Sequence, residues 1–145
     1  DIAHTIRKSQ VENISRIYKT LIAQGKTNVI IAGTFNTPSY CDSLTPLFQN
    51  TDVKDITKHF SFEVTTDEGD DATYYRLGAY KMGVNIKQKD YLLFSPALFE
   101  RMQDSGLNRK AMWPIKKPQW SIYKTVTSKF NAASEHPIIW EKLKL

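Results

Sequence analysis

The strongest constraint on the fold of this chain is the stretch Val29-Ile30-Ile31-Ala32-Gly33-Thr34-Phe35-Asn36-Thr37-Pro38. Four apolar residues in a row, three of them β-branched, read as a strand buried on both faces. Gly33 frees the backbone at the strand's end, and Thr34 and Asn36, two apart on an extended chain, point the same way. Asn36 offers one acceptor and two donors, enough to hold a phosphate oxygen or orient a water. Taken alone, the segment fits equally well a strand that closes in an Asx-type turn before Pro38.

Two later segments share this character. In Lys89-Asp90-Tyr91-Leu92-Leu93-Phe94-Ser95-Pro96, an aspartate stands at the mouth of an apolar strand, and Ser95-Pro96 reads as a helix start. In Ser134-Glu135-His136-Pro137-Ile138-Ile139-Trp140, an acid and a histidine precede the last strand, where Ile139, Leu143 and Leu145 share one face. Upstream, Val11, Ile14, Ile17, Tyr18, Leu21 and Ile22 form one apolar stripe at helical spacing, ended by Gly25. Tyr40 to Gln49 reads as a short helix with Leu44, Leu47 and Phe48 inward. Phe62 to Thr65 and Tyr74 to Leu77 read as strands, with loops around Gly78 and Gly83.

A chain of 145 residues suits one domain that buries roughly 70% of its unfolded surface. The single cysteine, Cys41, excludes an intrachain disulfide. No apolar run approaches the ~18–20 residues of a membrane span, and no signal-peptide pattern opens the chain, so the compartment stays open between cytoplasmic and secreted. The acidic stretch Thr66 to Asp71 lacks the spacing of an EF-hand and reads as a solvated turn. His4 and His59 have no second ligand at metal spacing, and we assign them no role.

The net charge of +5 is unevenly spread. Residues 1–72 hold 7 Lys/Arg against 10 Asp/Glu, whereas residues 73–145 hold 13 against 5. Such asymmetry points to an anionic partner for the later half. Between Gly106 and Phe130, Arg109, Lys110, Lys116, Lys117, Lys124 and Lys129 occur with no acidic residue, interleaved with Trp113, Trp120, Tyr123 and Phe130. Cations neutralise phosphates while aromatic faces stack on bases or sugars, which makes Arg109, Lys110, Trp113, Lys116 and Lys117 the candidate substrate-binding set. A solvated loop whose aromatics pack back on the core is the competing reading.

Taken in order, these segments resemble the endonuclease/exonuclease/phosphatase superfamily, the fold of DNase I-like nucleases and inositol-phosphate phosphatases. That family carries Gly-Asp-Phe-Asn where this chain has Gly33-Thr34-Phe35-Asn36. It has an Ile-Asp-Tyr-Ile-Leu type of strand at Lys89-Asp90-Tyr91-Leu92-Leu93, and Ser-Asp-His at Ser134-Glu135-His136. The resemblance spans the chain but only the second half of a family domain. It implies that residues 1–145 form the C-terminal half of such a domain. The fold implied is α+β, one half of a four-layer α/β/β/α sandwich, with a mixed, mostly antiparallel sheet and helices on one face.

The activity implied is part of a metal-dependent phosphohydrolase, nuclease or phosphatase in type, that cleaves phosphoester bonds with magnesium or manganese. By position, His136 contacts the scissile phosphate and Asp90 holds its other ring nitrogen, fixing the tautomer. Asn36 orients water or phosphate, and Glu135 lies near the metal. Thr34 departs from the family's aspartate, and threonine cannot serve as a base near neutral pH. Glu135 stands where the family has the shorter aspartate. The family's main metal-binding glutamate and an early asparagine belong to an N-terminal half not found in this sequence, so the isolated chain is expected to be inactive. The alternatives are a degenerate, non-catalytic module that binds nucleic acid or phosphorylated ligands, and a structural module. Strands apolar on both faces further imply a partner, either the missing half or a second copy of the chain.

Overall fold

The computed structural model describes residues 2–64, 88–113 and 122–144. The acidic turn at 66–71, the strand expected at 74–77, the loops around Gly78 and Gly83, and Lys116, Lys117, Trp120 and Leu145 lie outside the described residues. Helix α1 (Ile2–Ala23) opens the chain. It buries Val11, Ser15 and Tyr18, with Ile14, Leu21 and Ile22 packed alongside. Gly25 stops it at a φ of +79°, where the Gly25 amide donates to the Ile22 carbonyl and the Lys26 amide to that of Leu21. This paired closure needs a left-handed residue, for which glycine carries no Cβ penalty. Ile17 falls outside the expected stripe: it is 45% exposed, because it sits past the edge of the arc that meets the core.

Strands β1 (Ile30–Thr34), β2 (Lys54–Asp55) and β4 (Asp90–Phe94) make the first sheet, all antiparallel, in the order β1-β4-β2. Alternation along β4 sends Tyr91 and Leu93 to one face and Leu92 and Phe94 to the other. The first pair joins α1, Leu44 and Leu47 in a core that also takes in Val29, Ile31, Phe35 and Phe48. Leu44 ends a 3-10 turn (Asp42–Leu44) and Leu47 lies in the one-turn α2 (Thr45–Phe48), so the expected helix at 40–49 is two short turns. The double burial expected of Val29–Ala32 belongs instead to β4. β1 leaves Ile30 50% exposed and Ala32, Gly33 and Thr34 open, since β4 occupies the centre of the sheet and β1 its flank.

Ser95 is held differently from the expected capping role. It precedes a helix of one turn, α3 (Pro96–Phe99), with no side-chain cap bond. Its hydroxyl instead accepts from the Val29 amide (3.1 Å) and donates to the Thr27 carbonyl (2.7 Å), tying the end of β4 to the entry of β1.

Strands β3 (Phe62–Val64), β5 (Met102–Asn108) and β6 (Ile138–Leu143) make the second sheet, in the order β3-β5-β6. β5 pairs in parallel with β3 and antiparallel with β6. It carries Gly106, Leu107 and Asn108 into a sheet, where the sequence reads as the start of a basic loop. Its signal is weak because a glycine and several polar residues dilute the alternation. Gly106 is required: a Cβ there would lie 2.5 Å from the Glu63 carbonyl and 3.1 Å from the Trp140 ring. A second core of Ile56, Phe94, Leu98 and Met102, with Leu92, Phe62, Phe99, Ile139 and Leu143, joins the two sheets. The chain is therefore α+β, with α1 and α2 on one face of the first sheet and, on its other face, the second sheet together with Leu98 and Phe99 of α3. The inner face of β4, expected to need a separate half or copy, is covered by the chain's own second sheet.

On the inner face of β6, between Ile139 and Leu143, stands Glu141 opposite Ser105. Both of its carboxylate oxygens are buried without a hydrogen-bond partner. Burial, and secondarily the charge of Asp104, push its pKa up. A raised folded pKa means that stability is lost as pH rises through it, as the buried group is forced to ionise. Glu141→Gln should therefore raise unfolding free energy by about 1 kcal/mol near pH 8. The gain should shrink below the ordinary carboxylate range; urea unfolding that shows the same gain at both pH values contradicts this account.

Candidate functional site

The register of β1 against β4 sets Thr34 directly opposite Asp90. Paired residues of an antiparallel ladder share a face, so the two side chains meet: the Thr34 hydroxyl donates to Asp90 Oδ1 at 2.6 Å. Beyond the strand the chain folds over β4. The Phe35 amide donates to the Lys89 carbonyl at 2.8 Å, and the Asn36 amide approaches the same oxygen at 3.3 Å. Asn36 then takes a φ of +56°, a left-handed conformation that asparagine tolerates better than most residues.

Tyr91 fastens this loop from beneath. The Phe35 ring stacks on it with centroids 5.1 Å apart and planes at 24°, and Phe48 flanks it at 5.7 Å. The Tyr91 hydroxyl donates to the Thr37 carbonyl at 2.8 Å. Burial above all, with the charge of Asp55 next, pushes the phenol well above its ordinary range. The loop that carries Thr34 and Asn36 is thus joined to the strand that carries Asp90 by backbone, ring and hydroxyl contacts.

His136 arrives from the other sheet, two residues before β6. Its amide donates to the Ser134 hydroxyl oxygen (2.9 Å), and the Ser134 carbonyl accepts from the Trp113 amide (2.9 Å). His136 Nδ1 lies 2.9 Å from Asp90 Oδ1 and 2.8 Å from Oδ2. A nitrogen facing a carboxylate at this distance carries a proton, so Nδ1 donates and Nε2 is the nitrogen left for another partner. The imidazole is 43% exposed and Asp90 22%, so the pair is supported by protein on one side and open to solvent on the other.

The remaining candidates divide. Arg109, Lys110 and Trp113 run beside the approach to His136: the Ala133 amide donates to the Ala111 carbonyl and the Tyr123 amide to that of Lys110. Their segment and the histidine loop are therefore neighbours. Lys124, Lys129, Tyr123 and Phe130 are exposed, with Lys129 Nζ 5.2 Å above the Phe130 ring, so these aromatics face solvent rather than the core. Glu135 is exposed, and among the described residues no group of three or more His, Cys, Asp or Glu side chains is placed to hold a metal ion. His59 is buried between Phe60 and Phe99, its Nδ1 accepting from the Ser61 amide at 3.2 Å. Sequence reasoning misses the bonding roles of Thr34, Tyr91 and Ser134. For Tyr91, the signal is its place one residue after Asp90 on an alternating strand.

Compared with protein-family models, with curated proteins and with solved structures, the chain matches none of them.

Tyr91→Phe keeps the ring stack but leaves the buried Thr37 carbonyl without its donor. It should cost about 1–2 kcal/mol in chemical unfolding. Hydrogen exchange at the Phe35 amide should accelerate more than exchange at amides within α1; uniform acceleration would show that Tyr91 acts on the fold as a whole and not on the loop.

Proposed function

We propose that Thr34, Asn36, Asp90 and His136 form a phosphoester-processing site, part of a phosphohydrolase of the endonuclease/exonuclease/phosphatase type. In this reading the chain is the C-terminal half of the domain, and because its own second sheet already covers the inner face of β4, a separate N-terminal half or a second copy would add only the remaining layer of a four-layer sandwich. The observation that carries the proposal is the convergence of His136 and Asp90, 46 positions apart in the chain, with the carboxylate gripping Nδ1. This is the arrangement that the resemblance implies.

The chemistry follows from the atoms. With Nδ1 held, His136 presents Nε2 to a phosphate; in its protonated form it donates to a nonbridging oxygen or to the departing one. Asn36, on the folded-over loop, supplies an amide beside the same rim for a water or phosphate oxygen. Arg109 and Lys110 add positive charge along the adjoining segment, suited to a polyanionic substrate such as nucleic acid. Magnesium or manganese fits the described residues poorly: Asp90 is engaged by His136 and Thr34, and Glu135 alone makes no site. A second reading, a module that binds phosphorylated ligands without cleaving them, is favoured by the Thr34 hydroxyl, which is committed to Asp90 and cannot deprotonate water.

Hydrolysis of plasmid DNA and of bis(p-nitrophenyl) phosphate by the full-length protein, with magnesium or manganese present, separates the readings. Activity that falls by about 10²-fold or more in His136→Ala supports the enzyme. No hydrolysis by the full-length protein assigns the site to binding. In either case, neutralising Arg109, Lys110, Lys116 and Lys117 should weaken DNA binding and make it less sensitive to salt. The slope of log affinity against log salt should fall by about 0.7–0.9 for each phosphate no longer neutralised. An unchanged slope removes the basic segment from the substrate path.

A further inference from the structure

We propose that Thr34 is a positioning residue, whose hydroxyl holds the Asp90 carboxylate in the orientation that pairs with His136. The inference rests on the reading of His136 as the working group and assigns Thr34 a role where that reading alone leaves an uncharged substitute for a base. Asp90 stands at the first position of β4, directly opposite Thr34 of β1. Its Oδ1 receives both the Thr34 hydroxyl at 2.6 Å and His136 Nδ1 at 2.9 Å, while Oδ2 receives Nδ1 at 2.8 Å.

Thr34 suits this task for three physical reasons. It is the register partner of Asp90, so the ladder itself brings the two together. Its branched Cβ restricts χ1, so the hydroxyl points without a large loss of rotamer freedom. Its single proton is committed to Asp90, which leaves the imidazole, and not the threonine, to meet a substrate. A carboxylate at this position would put a second negative charge against Oδ1 and would need a proton or a cation between the two. A hydroxyl avoids that conflict, so the pair with His136 is held by the chain's own residues.

The test is nitrogen-15 and proton NMR of the imidazoles in the chain as it stands, above the histidine titration range, with His136→Gln assigning the signals. The wild type and Thr34→Ser should show His136 as one tautomer, protonated at Nδ1, with that proton protected from exchange. Thr34→Val, which keeps the branched shape but lacks the hydroxyl, should lose the protected signal and show mixed tautomers, while the His59 signals stay in place. If Thr34→Val disturbs the His59 signals, Thr34→Ala removes the same hydroxyl without added apolar bulk and is read in the same way. An unchanged His136 tautomer and protection in a folded variant without the hydroxyl overturns the proposal. These signals need no turnover. A protein that shows the effect but hydrolyses nothing defeats the phosphoester reading alone, and an active one whose imidazole ignores Thr34 defeats only the positioning role.

Discussion

The site depends on the alignment of two short antiparallel strands. Because strand side chains alternate between faces, sliding β1 by one residue against β4 would turn Thr34 away from Asp90 and exchange the buried and open sets of β1. Several independent groups hold that alignment. Ile31 and Leu93 face the helices, the Ser95 hydroxyl bridges to Thr27 and Val29 at one end, and the Tyr91 hydroxyl secures Thr37 at the other. Apolar burial favours the register, and hydrogen bonds at both ends remove the freedom to slip.

Helix α1 and strands β1 and β4 are legible in the sequence because each obeys a local rule, whereas the two residues of β2 are too few to show a pattern. The α1 stripe, the glycine stop at Gly25 and the apolar run at β4 are patterns of spacing and backbone preference, and they survive into the fold. Double burial of Val29–Ala32 does not survive, because hydrophobicity shows that a strand is apolar without showing which neighbour covers it. β5 escapes notice for the opposite reason: its buried residues include Ser105 and Gly106, suited to hydrogen bonding and to close approach to Trp140, and neither registers as apolar. Polar and space-limited positions are where pattern reading fails.

The candidate site is legible in part. Asp90 and His136 stand out by their places at the mouths of two strands, and their side chains meet. Thr34 reads in the sequence only as a missing carboxylate, since a sequence shows what a residue lacks more readily than what it touches. Its hydroxyl bond to Asp90 is a property of register, and register becomes visible only when the partner strand is in place. Asn36 shows an intermediate case: the residue type suggests a turn or a ligand, and its left-handed backbone satisfies the first without excluding the second.

The three segments that meet at Asp90 are distant in sequence, with 56 positions from Thr34 to Asp90 and 46 from Asp90 to His136. Closing loops of such length costs chain entropy, which the contacts at the junction must offset. The imidazole stands just before β6 of the second sheet and its carboxylate on β4 of the first, so the contact between them spans the two layers. A chain whose second sheet is detached from the first therefore keeps the bond between Thr34 and Asp90 and loses the one between Asp90 and His136, so the junction reports whether the two layers are docked.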